Sequence, residues 1–127
     1  MQSLFSLLAI FTAGGLGTLL RYGIGRFTAD AVFPWGTFIV NMVGCLLFGI
    51  FVGLLSSNRL APEWKPILLA GFCGGFTTFS AFAFDNLRLI ESKQWVLFAV
   101  NLLIQNGLGI LAVVLGAALV SARTANI

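Results

Sequence analysis

The stretch Gly74-Gly75-Phe76-Thr77-Thr78-Phe79-Ser80-Ala81-Phe82 gathers glycines, hydroxyls and phenylalanines inside an uncharged run, Pro66–Phe84. Each of these residue types can serve an ion without a formal charge. Carbonyls released by a broken helix can coordinate a cation. A phenylalanine ring is negative on its face and positive at its edge, so two ring edges can line a path for a small anion. Phe79 and Phe82 are three apart and share a face if the helix resumes there. Ordinary packing is the commoner role for such rings in a chain with 13 phenylalanines. The run is centred on residue 75, which sets Gly74-Gly75 at the expected bilayer midplane. Hydrocarbon supplies no water to a loosened backbone, so a break at that depth must face protein or a polar cavity.

The remaining polarity at membrane depth is also neutral. Asn41 follows PWGTFIV in the second helix, and Asn101, Gln105 and Asn106 mark the fourth. Asn101 and Gln105 share a face at i, i+4, a spacing that suits interhelical hydrogen bonding. Ionisable groups in a span default to functional candidates. Arg21 comes closest, either snorkelling to the interface or gathering anions into a vestibule. Asp30, Glu63, Asp85 and Glu91 fall in expected loops or helix ends, and histidine is absent. A carboxylate-based proton relay, serine–histidine hydrolysis and the usual metal sites therefore have no residues to run on. The chain is read as non-enzymatic. Cys45 and Cys73, in different helices among apolar neighbours, read as small hydrophobes.

The elements that must position these groups are visible in the charge pattern. Hydrophobic residues make up 59% of the 127 and charged ones 9%, with a mean hydropathy of +1.03. Soluble domains carry about 25% charged residues, so this is an integral membrane composition. Uncharged runs at Met1–Leu20, Ala31–Asn58, Pro66–Phe84 and Gln94–Ala122 are each long enough to cross a bilayer. The expected fold is an all-α membrane protein, one domain over 1–127, with helices near 3–25, 36–56, 66–84 and 95–121. The third helix is expected to break near its middle. The first run lacks a basic n-region and is interrupted by GGLG, so it reads as a retained helix rather than a signal. Trp35, Trp64 and Trp95 each sit beside an expected helix end, as interfacial tryptophans do. Small residues recur at close-packing spacing at Gly14, Gly15 and Gly17, Gly49 and Gly53, Gly71 and Gly75, and Gly107 and Gly109. The net charge of +3 is spread over scattered Lys and Arg, which suits lipid headgroups and makes no nucleic-acid stripe.

With four spans, one side of the membrane holds Arg59, Lys65 and Arg123, and the other holds Arg21, Arg26, Arg88 and Lys93. A difference of one cation does not fix orientation. Either one arginine decides and every copy points the same way, or copies insert both ways up. Four short helices also enclose little interior, so an antiparallel homodimer is expected to complete any polar path.

GFCGGFTTFSAF (71–82), GGLGTLLRYG (14–23) and PWGTFIVN (34–41) occur in this order and in these helices. Together they resemble the Fluc (CrcB-type) fluoride channels, over essentially the whole chain. That resemblance implies an antiparallel, dual-topology homodimer in a bacterial plasma or inner membrane, with no other protein partner. It implies two pores that pass fluoride passively, exclude chloride and relieve cytoplasmic fluoride toxicity. Phe79 and Phe82 match the phenylalanines whose ring edges contact fluoride, and Asn41 matches the pore asparagine that donates to the ion. Gly74 and Thr77 match the residues whose backbone carbonyls hold a central, structural sodium. Arg21 matches a vestibule arginine, Ser80 a pore-side serine and Asn106 a fourth-helix asparagine. Where relatives often read TTFSTFS, this chain has Ala81 and Ala83, and Asp85 stands where many carry glutamate.

The physical reading fits this implication. Fluoride is small and strongly hydrated, so a pore must replace its water with amide donors, hydroxyls and positive ring edges. A fixed cation at depth would hold an anion rather than pass it. The other readings are a small dual-topology multidrug exporter and a non-conducting accessory subunit. The exporter needs a carboxylate in the first helix, and Met1–Leu20 has none.

Overall fold

A computed structural model describes residues 3–124. The termini of the expected 1–127 domain, and the side chain of Arg123 counted for orientation, lie outside the described residues. Four helices among these residues are long and apolar enough to cross a membrane: Leu4–Phe27, Trp35–Ser56, Pro66–Glu91 and Trp95–Ala122. The ordered elements are α1 (Leu4–Phe27), α2 (Trp35–Ser56), a π-helix (Pro66–Cys73), α3 (Gly74–Phe76), α4 (Phe79–Glu91) and α5 (Trp95–Thr124). The third span is thus composite.

Local chemistry sets the ends of these helices. The Ser3 hydroxyl caps α1 by accepting from the Ser6 amide at 3.3 Å. Thr28 closes it, its hydroxyl donating to the Ile24 and Gly25 carbonyls. After α2, Asn58 takes the left-handed conformation at φ 54°, and the Arg59 amide reaches back to the Leu54 carbonyl at 2.9 Å. Lys93 does the same after α4 at φ 58°, with the Gln94 amide on the Leu89 carbonyl at 2.8 Å. Both ends use the Schellman closure, which glycine usually supplies. Pro66 opens the third span at a first-turn position that needs no N–H. Trp35 and Trp95 begin their helices and Trp64 precedes Pro66, all three exposed.

Packing pairs α1 with the first half of the third span and α2 with α5. Lipid is as apolar as leucine, so helices associate through close backbone contact rather than by hiding apolar surface from water. At Gly17 an added Cβ would collide with the Phe72 carbonyl and come within 2.8 Å of the Phe76 nitrogen. One at Gly75 would collide with the Gly14 carbonyl. Between α2 and α5 the same role falls to Gly49 against the Val113 carbonyl and Gly116 against that of Leu46. Gly116 belongs to none of the glycine pairs picked out by spacing, whereas Gly15 and Gly107 from those pairs face open space.

The third span departs from expectation in two ways. It runs to Glu91 rather than ending at Phe84, because Asp85, Arg88 and Glu91 are carried on an amphipathic helix. Asp85 therefore lies inside α4, where its Oδ2 accepts a 2.6 Å hydrogen bond from the Thr37 hydroxyl. Gly74, where the sequence places the disruption, is helical at φ −62°, ψ −37°. The extended residues are Thr77 (φ −85°, ψ 159°) and Thr78 (φ −154°, ψ 119°).

Candidate functional site

The site is built on those two extended threonines. In a continuing helix the Thr78 N–H would donate to the Gly74 carbonyl and the Ala81 N–H to that of Thr77. Neither does so. The Thr78 N–H donates to Asn41 Oδ1 at 2.9 Å, and the Ala81 N–H donates to the Thr78 hydroxyl at 3.1 Å. Two side chains thus take the place of two helical acceptors, leaving the Gly74 and Thr77 carbonyls without their helical donors. The intervening Gly75 carbonyl accepts from the Thr18 hydroxyl of α1 at 3.4 Å. Thr77 turns its own hydroxyl back onto the Cys73 carbonyl at 2.9 Å. Its methyl fills the space that a side chain at Gly44 would occupy.

Asn41 is the hub. Its Nδ2 donates to the Thr78 carbonyl at 3.1 Å and to Gln105 Oε1 at 2.8 Å. From Gln105 the hydrogen bonds continue to Asn101 Oδ1 at 3.0 Å, from Asn101 to Asn86 Oδ1 at 3.0 Å, and from Asn86 to the Phe82 carbonyl at 2.9 Å. Asn86, Asn101 and Gln105 are buried, Asn101 completely. Among the described residues no buried side-chain nitrogen or oxygen lacks a partner. A buried polar network of this kind is costly if any member is left unpaired.

A groove of about 260 Å³ opens beside the hub, lined by Asn41, Gly44, Thr77, Phe79, Phe82 and Asn106 among others. None of its lining residues is acidic or basic. The Phe79 and Phe82 rings meet at 5.6 Å between centroids and 53° between planes. Their environments differ sharply: Phe82 is 6% exposed and Phe79 77% exposed. Asn106 lies on the wall with its Nδ2 on the Leu102 carbonyl at 2.7 Å. Ser80 is exposed, its hydroxyl 3.2 Å from that of Thr78 and outside the groove lining. Arg21 is half-buried on α1, also away from the groove. A separate cavity of about 780 Å³ lies at the end of the bundle where α1 ends and α2 begins. Thr37 and Asp85 are on its wall with Arg88 and Glu91.

The sequence profile of the family described as CrcB-like protein, Camphor Resistance (CrcB), matches residues 8–117. A fluoride-specific ion channel FluC from Nitrosococcus oceani is 44% identical over 111 residues, 84% of this chain and 89% of the relative. The FluC of Nitratidesulfovibrio vulgaris is 50% identical over 92 residues, 68% and 73% of the two chains. That of Maridesulfovibrio salexigens is 43% identical over 116 residues, 88% and 92%. The chain belongs to the CrcB-like family. It is a multi-pass membrane protein of that family, which sets aside the exporter reading.

In this CrcB-like chain the structure brings Asn41, Thr77, Phe79, Phe82 and Asn106 to one groove and leaves Arg21 and Ser80 off its wall. Sequence reasoning missed Asn86 and Gly44. Asn86 fell in an expected loop, yet it lies four residues after Phe82 on the same helical face, and that spacing is the signal for it. Gly44 carries no such signal, because its role depends on the Thr77 methyl packed against it. Among the described residues no cluster of His, Cys, Asp or Glu is able to hold a metal. Any cation here would depend on carbonyl and hydroxyl oxygens, ligands that suit a hard ion.

Proposed function

We propose that this chain is a fluoride-specific ion channel that lets fluoride leave the cytoplasm passively. The observation that carries the reading is the uncharged groove that Asn41, Phe79 and Phe82 line together beside the Thr77–Thr78 interruption. It offers what a dehydrating fluoride requires: neutral donors and positive ring edges at close range. With no cation on the wall, an anion is bound weakly enough to leave again. Chloride is larger and less in need of such donors, so a path shaped by two rings and an amide rejects it.

Asn41 holds the ion through an N–H that rests on Gln105 or on the Thr78 carbonyl when no anion is present. Asn106 takes part from α5 on the same groove. Ser80 and Arg21 act outside the groove, Ser80 beside the path and Arg21 at its mouth.

The functional unit is an antiparallel homodimer of copies inserted both ways, with two pores. The exposure of Phe79 and the near balance of the loop cations support this reading. The third helix is broken for a purpose: Gly74 and Thr77 offer carbonyls to a structural sodium shared by the two copies. Support comes from the diversion of both helical donors and from the exposure of Gly74. Such an ion supplies positive potential near the anion paths and offsets the lost helical bonds.

The test is fluoride efflux from liposomes containing the purified protein, followed with an ion electrode and with chloride as control. Rapid fluoride loss with chloride retained is expected. A folded protein that passes no fluoride overturns the proposal.

A further inference from the structure

The geometry points to Asn86 as a positioning residue for the anion path: through Asn101 and Gln105 it ties the Phe82 turn to the Asn41 amide. This rests on the fluoride-path reading above and extends it to a residue that touches no part of the groove.

Of all the elements, α4 contacts only α5 and α2 to any extent, and far less extensively than α2 contacts α5. Apolar packing in lipid gives little preference for one placement of such a helix over another. Its position is set by directed bonds. The Thr78 backbone is gripped by Asn41, Asp85 accepts from Thr37, and Asn86 accepts from Asn101. The first two reach α2, and only the third reaches α5. Asn86 is therefore the polar link that sets how far Phe82 stands from the α5 wall carrying Gln105 and Asn106.

The direction of the bonds matters as much as their number. Asn41, Gln105, Asn101 and Asn86 each donate forward, and the last donation ends on the Phe82 carbonyl. Gln105, Asn101 and Asn86 each accept from the one before. Aligned hydrogen bonds polarise one another, most strongly where water is excluded. Both ends of the chain lie on the groove, at Asn41 and at Phe82. When an anion takes the Asn41 N–H from Gln105, Gln105 loses its donor and the whole sequence is weakened up to the Phe82 turn. Occupancy at the amide is thereby transmitted to the ring that flanks the path.

The test uses the full chain with two measurements. In wild-type protein labelled with 15N at asparagine and glutamine, fluoride is titrated while the side-chain amide signals are followed, with chloride as control. Signals of Gln105, Asn101 and Asn86 are expected to move together with that of Asn41. Movement at Asn41 alone, or at none of these residues while fluoride efflux is intact, overturns the inference. If wild-type protein passes no fluoride, it is the channel reading that fails.

In liposomes, Asn86→Ala is expected to lower fluoride efflux about ten-fold, the order of effect of losing one or two hydrogen bonds. It is also expected to narrow the fluoride-to-chloride ratio while the protein elutes as wild type does. Asn86→Ser keeps a hydroxyl able to reach the i−4 carbonyl and accept from Asn101. It is expected to recover most of the ratio. An alanine variant with wild-type ratio and flux, or a serine variant no better than alanine, overturns the positioning role.

Discussion

Asn41 holds both backbone groups of Thr78: its Oδ1 accepts the Thr78 N–H at 2.9 Å and its Nδ2 donates to the Thr78 carbonyl at 3.1 Å. A side-chain amide thus pairs with a peptide group as a neighbouring strand would. The pairing lets a membrane helix stop and restart without leaving Thr78's own polar groups unsatisfied. The residue that stabilises the interruption also lines the groove.

Replacing Asn41 by leucine removes both partners of Thr78 and the donor to Gln105. Each buried group left unpaired costs about 1–3 kcal/mol. A lowered unfolding temperature in detergent and loss of fluoride efflux are expected together. An Asn41→Leu protein with wild-type stability would show that the clamp contributes nothing.

Phe79 and Phe82 lie side by side but differ in burial, 77% against 6% exposed. Isoleucine at either position keeps bulk and removes the ring edge. Phe82→Ile is expected to reduce both stability and fluoride efflux, the first by about 1 kcal/mol for an imperfect volume match in a packed site. Phe79→Ile is expected to leave the stability of the single copy unchanged and to abolish efflux. Comparing thermal unfolding with liposome flux separates the two effects. Undiminished fluoride flux in Phe79→Ile counts decisively against ring-edge conduction.

Glycines of equal prominence in the sequence have unequal consequences. A Cβ on Gly75 meets the Gly14 carbonyl, backbone against backbone with no flexible end to yield, whereas one on Gly15 meets nothing within 4 Å. Gly75→Ala is expected to force α1 away from the third span and to abolish recovery of folded protein. Gly15→Ala is expected to purify and conduct as wild type. Size-exclusion profiles of the two variants decide the matter, and equal behaviour would refute this account of the α1 packing.

Much of this arrangement is legible in the sequence, and what is not has a physical reason. The spans show because hydrocarbon admits few charges, and the interfacial tryptophans mark their ends. Composition points to a break near the middle of the span at Gly74-Gly75, and the extended backbone lies at Thr77 and Thr78. Gly74-Gly75 invites a break by its freedom, yet Gly74 stays helical and Gly75 serves close approach to the Gly14 carbonyl. The Thr78 hydroxyl takes the Ala81 N–H in place of a helical carbonyl, and Asn41 completes the exchange from a residue 37 positions away from Thr78. The end of the third span was hidden by Asp85, whose charge reads as loop until Thr37 is seen beside it. Asn86 was invisible because its meaning lies in Asn101, 15 residues on and across a turn. Asn101 and Gln105 were readable as a hydrogen-bonding face from their i, i+4 spacing, whereas the Asn86 that Asn101 reaches was not.

Near-equal loop cations predict copies in both orientations. A reporter fused to the C-terminus is expected to be detected on both faces of the membrane in comparable amounts. Adding two lysines to the 57–65 loop is expected to bias insertion to one orientation, and the biased protein alone is expected to conduct poorly. Coexpression with an oppositely biased partner is expected to restore flux. Full conduction by a single orientation would remove the antiparallel dimer from the account.

The released carbonyls of Gly74 and Thr77 yield the last prediction. A carbonyl oxygen in hydrocarbon without a donor costs several kcal/mol; Gly74 is exposed and Thr77 half-buried, and neither carbonyl has its helical donor. Sodium is a hard ion that takes oxygen ligands, and in the proposed dimer it is the partner these carbonyls would share. Replacing sodium by N-methylglucamine during purification is expected to lower dimer stability and fluoride efflux in parallel, with readdition restoring both. Thr77→Ser keeps the backbone and the hydroxyl bond to the Cys73 carbonyl and removes only the methyl over Gly44, so its sodium response is expected to match wild type. Pairing that variant with Thr78→Val, which removes the hydroxyl that draws the Ala81 N–H away from Thr77, gives the sharper comparison. With the Ala81 N–H free to return to the Thr77 carbonyl, Thr78→Val is expected to weaken the sodium requirement. Equal indifference to sodium in wild type and both variants would leave the carbonyls without the proposed role.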